Sequence, residues 1–223
     1  MKKIYFIISV FLTSYCQAQI SGLGTWNIID GLYKPSHSFT IWTELQARSQ
    51  TALNNFYYNQ FKVGLFYNIP KTDHSLFVGG GRYTTYQTVG NFKSPVVTSE
   101  SRIWEQVTLN NQYGHLKIEQ RYRLEQRWVN NDFRARFRYR LNPTLILNHS
   151  KMRPQTFFIC CFDELFLGNN NPRLETNRYY VGLGYQFSKI VTLQVGSLHE
   201  SNFGFTGKET YNNYLQTTLQ ICY

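Results

Sequence analysis

Between Lys117 and Arg127 every odd-numbered residue is charged: Lys117, Glu119, Arg121, Arg123, Glu125 and Arg127. The residues between them, from Ile118 to Gln126, carry no charge. After Asn130, Asn131 and Asp132 the pattern resumes, with Arg134, Arg136, Arg138 and Arg140 set between Phe133, Ala135, Phe137, Tyr139 and Leu141. A period of two gathers side chains on one face of a strand, whereas a helix would spread them around its circumference. Faces of this kind support two chemistries. Arg and Glu on neighbouring strands can pair, the planar guanidinium matching a carboxylate with two hydrogen bonds. A surplus of Arg can instead hold or conduct an anion, as rings of Arg do in anion-selective pores. The second run has four Arg and no acid on its charged face, and Arg121, Arg123 and Arg127 already compete for Glu119 and Glu125.

Nucleophilic catalysis would need a Ser–His–acid arrangement. His199, Glu200 and Ser201 form one cluster and His149 with Ser150 another. Adjacent residues on a strand point to opposite faces, so neither cluster makes a triad by itself; the expectation is no enzyme, with an outer-membrane hydrolase as the least favoured alternative. The sequence has no Cys-x-x-Cys, no His pair at ligand spacing and no EF-hand loop, so no metal or other cofactor is implied. Gly79, Gly80 and Gly81 lack the following helix that a phosphate-cradling loop requires; glycines in a strand relieve crowding or mark a bend.

The elements that must position these charges are strands of unusual length. Alternation marks strands over 37–49, 56–69, 75–88, 100–110, 115–128, 133–147, 155–167, 176–187, 190–201 and 211–223, with 22–33 as a possible eleventh that parity reduces to a partial strand or lead-in. Runs of about 10–14 residues exceed the usual globular strand of about 5–6 and suit a tilted span of a bilayer. Apolar faces carry Tyr, Phe and Trp near strand ends, as interfacial girdles do. Connections alternate between short (Pro70–His74, Asn110–Gly114, Ser188–Lys189) and longer polar ones (Val89–Ser99, Gly168–Glu175, Asn202–Thr210). The reading is an all-β, transmembrane, antiparallel up-and-down barrel of ten strands, twelve being admissible. Single-chain bacterial barrels have an even count with both termini in the periplasm. Closure needs every strand, so 19–223 forms one domain.

With lipid outside, the charged faces line the lumen, because Lys or Arg facing mid-membrane lipid costs about 2–4 kcal/mol each. The inward set is Glu100, Arg102, Glu119, Arg121, Arg123, Glu125, Arg127, Arg134, Arg136, Arg138, Arg140, Glu164 and Arg178, joined by Glu44, Arg48, Lys62, Arg82, Lys117 and Glu200. Glu105 falls on the outward face with Ile103 and Val107, which a β-bulge near Trp104 would correct, an unusual register being the alternative. The expected role of the interior is a ladder of paired charges filling a narrow barrel. The alternative is an anion-selective pore or a site for an acidic small molecule or lipid head group.

The N-terminus reads as an export signal. Lys2 and Lys3 precede the apolar run Ile4–Leu12, and small residues lead to cleavage after Ala18. The run is too short to span a membrane. Anchoring through Cys16 would need a small residue before it, where Tyr15 stands. Losing residues 1–18 takes two Lys from 23 basic residues, leaving 21 against 13 acidic and a net charge of +8. An Arg-lined lumen in an exported chain makes a nucleic-acid partner remote. The mature chain keeps Cys160, Cys161 and Cys222, read as small packing residues.

A family resemblance rests on Glu100-Ser101-Arg102-Ile103-Trp104-Glu105-Gln106, Arg121-Tyr122-Arg123-Leu124-Glu125-Gln126-Arg127 and Arg134-Ala135-Arg136-Phe137-Arg138-Tyr139-Arg140-Leu141. Asp163-Glu164-Leu165-Phe166, then Asn177-Arg178 before Gly182-Leu183-Gly184-Tyr185, complete it. In order and spacing these are similar to the domain-of-unknown-function family 2490, outer-membrane proteins of gram-negative bacteria, over nearly the whole mature chain. The resemblance implies a barrel in the outer membrane and brings no activity. The terminal alternation Leu215, Thr217, Leu219, Ile221 and Tyr223 likewise resembles the signal read by the barrel-assembly machinery. That machinery and outer-membrane lipid are the expected partners.

Overall fold

The computed structural model describes residues 23–87, 90–169, 174–204 and 209–223; the segment 1–18 expected to be an export signal and Thr88 lie outside them. Strands β1 (Gly24–Tyr33), β2 (Phe39–Thr51), β3 (Asn54–Asn68), β4 (Ser75–Tyr86), β5 (Val96–Tyr113) and β6 (Leu116–Val129) come first. They are followed by β7 (Asp132–Ile146), β8 (Thr156–Gly168), β9 (Leu174–Gln186), β10 (Val191–Phe203) and β11 (Glu209–Cys222). Each strand pairs antiparallel with its chain neighbour, and β1 closes on β11.

The closed sheet therefore has 11 strands, not ten or twelve, and residues 24–33 form a full strand instead of a lead-in. Successive hairpins leave the first and last strands of an odd set running in the same direction. The seam is accordingly parallel, in register from Gly24 with Tyr214 to Leu32 with Cys222. Closure requires only that each edge's N–H and C=O groups find partners, which a parallel ladder supplies as well. Parity is thus no constraint here, and the start of β1 and the end of β11 lie at opposite ends of the barrel.

The Tyr223 end carries the connections 34–38, 69–74, 114–115, 147–155 and 187–190; the Gly24 end carries 52–53, 87–95, 130–131, 169–173 and 204–208. The short and long sets foreseen from sequence fall at opposite ends, with 147–155, 52–53 and 130–131 as exceptions of length. The tight β6–β7 turn is explained by Asn130 and Asn131, whose φ values of 48° and 76° make a two-residue turn of the twist that suits a hairpin. Asn is the non-glycine residue that best tolerates this region.

Inward and outward faces alternate along every strand, and the interior is packed as well as charged. Trp42, Phe66, Phe77 and Trp104 interlock on one wall; Phe77 stacks on Trp104 at 5.9 Å and meets Phe66 at 4.4 Å. The Phe77 ring lies across Gly64 and Gly79, where a Cβ would come within 2.1 and 2.5 Å of ring carbons. These glycines relieve crowding, as their place in a strand suggested. Opposite, Trp26, Phe158, Cys160, Tyr180, Leu198 and Tyr214 form the buried apolar cluster. The three cysteines of the described chain are free thiols.

Candidate functional site

Strands β5 to β10 carry most of the inward charges, and β1 to β3 add Asp30, Glu44, Arg48 and Lys62. All thirteen residues of the expected lumen set face the interior, and all but Glu100 and Glu125 border its main cavity, of about 940 Å³. Glu125, with no exposed side-chain surface, sits at the centre. Its Oε2 accepts from Arg136 at 2.6 and 3.0 Å, and its Oε1 from Arg138 at 2.7 Å and Arg123 at 3.4 Å. Arg102 approaches to 3.8 Å. Glu164 accepts from Arg138 at 2.7 and 3.0 Å and also binds Arg121.

Towards the Gly24 end, Glu100 takes Arg102 at 2.6 and 2.8 Å and Arg127 at 2.5 Å. Towards the Tyr223 end, Glu119 takes Arg140 at 2.7 Å. On the far wall Glu44 pairs with Lys62, and Glu200 with Arg178 and, at 3.8 Å, Arg48. Arg134 borders the cavity without an ion pair among the described residues. Arg planes also cover aromatic faces: Arg48 lies 3.3 Å from the Trp26 centroid, Arg102 3.7 Å from Tyr83 and Arg138 4.1 Å from Phe166.

Glu100, Glu125, Glu164 and Glu200 thus each serve more than one cation. Along the main cavity fourteen Lys and Arg face five acids, and with Glu100, Glu125 and Glu200 counted there are eight, an excess of six positive charges. A second cavity of about 1070 Å³, bordered by Lys34, His37, Asp73, His74 and Asn110, occupies the Tyr223 end. No group of three or more metal-ligating side chains occurs among the described residues.

Sequence reasoning missed Asp30 and Glu175 as interior acids. Glu175 was assigned to a loop; a register shift between Phe166 and Leu167 turns it inward, where it meets Arg127 at 3.3 Å and Arg136 at 3.5 Å. Two expectations fail. Arg82 faces outward, donating to Ser101 at 2.8 Å and to Ser99. Glu105 also stays outward, beside Gln126 at 3.3 Å, and no bulge interrupts β5 at Trp104: its ladders run unbroken from Thr98 to Thr108 with β4 and from Glu100 to Tyr113 with β6.

The outer wall holds a second polar constellation, near the Gly24 end of β9, β10 and β11. Glu200 points inward, as neighbours on a strand must, while His199 and Ser201 share the outer face. Ser201 Oγ lies 3.2 Å from His199 Nε2, and His199 Nδ1 lies 2.7 Å from Asn213 Oδ1. Asn213 stands directly across from His199 in the β10–β11 ladder. The imidazole is sandwiched between Tyr179 and Tyr211, with centroids at 4.8 and 5.8 Å and planes within 29° of parallel. Asn213 is distant from His199 in sequence, and only the β10–β11 register brings the two together. The available signal was a polar residue at the hairpin position paired with His199. The other cluster does not assemble: His149 Nδ1 contacts Thr156 Oγ1 at 2.9 Å instead of Ser150.

Fold and interior together define a closed β-barrel with a charged, ion-paired lumen. The chain matches the family described as "Protein of unknown function (DUF2490)" over residues 23–212 and belongs to it. No curated protein and no solved structure matches the chain.

Proposed function

We propose that this protein is an integral outer-membrane β-barrel, exported by its N-terminal signal, whose interior charges form a lattice that braces the wall. The observation that carries the reading is the sorting of the two faces. Fourteen cations border the main cavity, while Leu45, Phe61, Val78, Ile103, Leu124, Leu183 and Leu215 expose 42–66% of their surface outside. Contiguous exposed apolar patches on water-soluble monomers rarely exceed a few hundred Å². An apolar band around every strand of a closed barrel is what lipid demands, and closure leaves no unpaired edge in it. On this reading outer-membrane lipid surrounds the wall and the barrel-assembly machinery is the folding partner.

Bracing fits the connectivity of the charges, since Glu125 and Glu164 each bind Arg residues from more than one strand. A second reading, an anion passage or a site for an acidic small molecule, is favoured by the surplus of six cations. The main cavity also borders both Arg134 near one end and Lys189 near the other.

Membrane fractionation tests the location: the protein should pellet with outer membranes and resist carbonate extraction, and recovery from the soluble periplasm would refute the reading. Planar bilayers separate the two interior roles. A braced lumen gives no steady conductance, whereas reproducible anion-selective channels, lost in the Arg136→Glu/Arg138→Glu double variant, would establish the passage.

A further inference from the structure

We propose that Ser201, His199 and Asn213 form the catalytic triad of a hydrolase that cleaves fatty-acyl esters of membrane lipids at the outer wall of the barrel. The choice of lipid rests on the membrane reading above; the chemistry does not.

The hydrogen-bond chain has the polarity that such catalysis needs. Nδ1–H of His199 donates to Asn213 Oδ1, which leaves Nε2 unprotonated and facing the Ser201 hydroxyl. Asn213 orients the ring without bringing a charge to a wall that faces lipid. The two tyrosine rings hold the imidazole plane from either side. Three side chains on two paired strands are thereby fixed by a rigid sheet, where a solvated rim histidine would need no such order.

Position selects the substrate. Ser201 is two residues from the end of β10 at Phe203, about 7 Å along the strand at ~3.4 Å per residue. That depth is the level at which ester groups of membrane lipids meet water, and tyrosines flanking it suit an interfacial girdle. Deeper on the same face, Val181, Leu183, Val195 and Leu215 expose 39–66% of their surface and offer an apolar bed for an acyl chain.

In the first half-reaction Ser201 Oγ bonds to the ester carbonyl carbon as its proton passes to His199 Nε2. The carbon–oxygen bond to the alcohol then breaks, and Nε2 returns the proton to the departing oxygen. Water, deprotonated by the same nitrogen, next attacks the acyl-serine and releases a fatty acid and free Ser201. Strand N–H groups are taken by the ladders, so the oxyanion must be met by a side chain. Asn177, opposite Ser201 on β9, is in register to do so. Its Nδ2 is held at 2.6 Å by Asp163 Oδ1, and its longer 3.4 Å contact to the Glu164 carbonyl is the one it would exchange for the oxyanion.

The test uses the full-length barrel in detergent and an alkyl fluorophosphonate, which bonds covalently to activated serines. Labelling should map by mass spectrometry to Ser201 and vanish in Ser201→Ala, while Ser101→Ala, on β5, leaves it intact. Removing the base in His199→Ala should slow labelling by about 10²–10⁴-fold. Asn213→Ala should slow it and Asn213→Asp restore it, a rescue that a purely structural role would not show. Heat-modifiable gel migration confirms that each variant is folded.

Fatty-acid release is then measured on phosphatidylethanolamine–phosphatidylglycerol vesicles and on lipopolysaccharide aggregates; release from either supports the proposal and identifies the lipid. Asn177→Ala should lower kcat by about 10²–10³-fold with little change in KM. A folded barrel that is not labelled at Ser201 overturns the triad. Labelling with turnover of only a water-soluble ester overturns the lipid substrate, and a labelled protein found in the soluble periplasm overturns the membrane reading alone.

Discussion

Glu125 offers the sharpest test of the bracing lattice. Its carboxylate is fully buried and lies within 4 Å of four guanidiniums, those of Arg102, Arg123, Arg136 and Arg138. Glu125→Gln keeps the shape and one acceptor oxygen but removes the charge, so Arg123 loses its one carboxylate and Arg102, Arg136 and Arg138 keep only Glu100, Glu175 and Glu164. Breaking a buried ion pair from one side costs about 3–5 kcal/mol. The internal control is Glu119, 22% exposed at its side chain and paired to Arg140 alone, where Glu119→Gln should cost about 0.2–1 kcal/mol after solvent screening. For a chain of this size the larger figure corresponds to a fall of about 6–20 °C in Tm. Unfolding can be followed by heat-modifiable gel migration and by urea titration in lipid vesicles. Adding Arg136→Gln to Glu125→Gln should cost less than the sum of the single changes, because the second removes a cation that the first stranded; contacting residues couple by about 0.5–3 kcal/mol. Equal losses for Glu125→Gln and Glu119→Gln, or strict additivity in the pair, would refute the view that the acids brace the wall.

Other expectations follow from facing and packing. Leu124→Arg, at a site 57% exposed on the outer wall, should impair membrane assembly by about 2–4 kcal/mol, far more than Arg123→Leu; equal assembly yields would contradict a lipid-facing wall. A cysteine scan across 117–141 with a lipid-soluble quencher should show quenching at alternate residues, and a flat profile would refute the assignment of faces. Glu105→Leu should raise unfolding resistance in bilayers, since it removes an outward carboxylate from mid-strand, whereas a loss of resistance would place that face in water. Gly79→Val should destabilise the barrel by about 1–3 kcal/mol through collision with Phe77, and Phe77→Ala in the same chain should recover part of the loss.

The two faces of β6 and β7 were legible in the sequence because a strand's side-chain period is a local property of its backbone. Nothing beyond chain neighbours was needed to separate Arg134–Arg140 from Phe133–Leu141, and desolvation then decided which set turned inward. Where the local signal lapsed, so did the reading. Gly79, Gly80 and Gly81 carry no side chains to set the phase of β4, and Arg82 was placed on the wrong face. Alternation alone sets Glu105 outward, and the bulge invoked to re-aim it does not exist, because the ladders on both sides of β5 run unbroken from Glu100 to Thr108. Strand number was a matter of closure: only the ladder between β1 and β11 shows that residues 24–33 complete the wall, and no periodicity within them could announce a parallel seam. The bend that brings Glu175 to Arg127 and Arg136, and the cross-strand register that sets Asn213 beside His199, are likewise decided between strands. Alternation is written residue by residue, whereas register and closure are settled by which backbone groups find partners across the sheet, so the tertiary structure alone brings Ser201, His199 and Asn213 together.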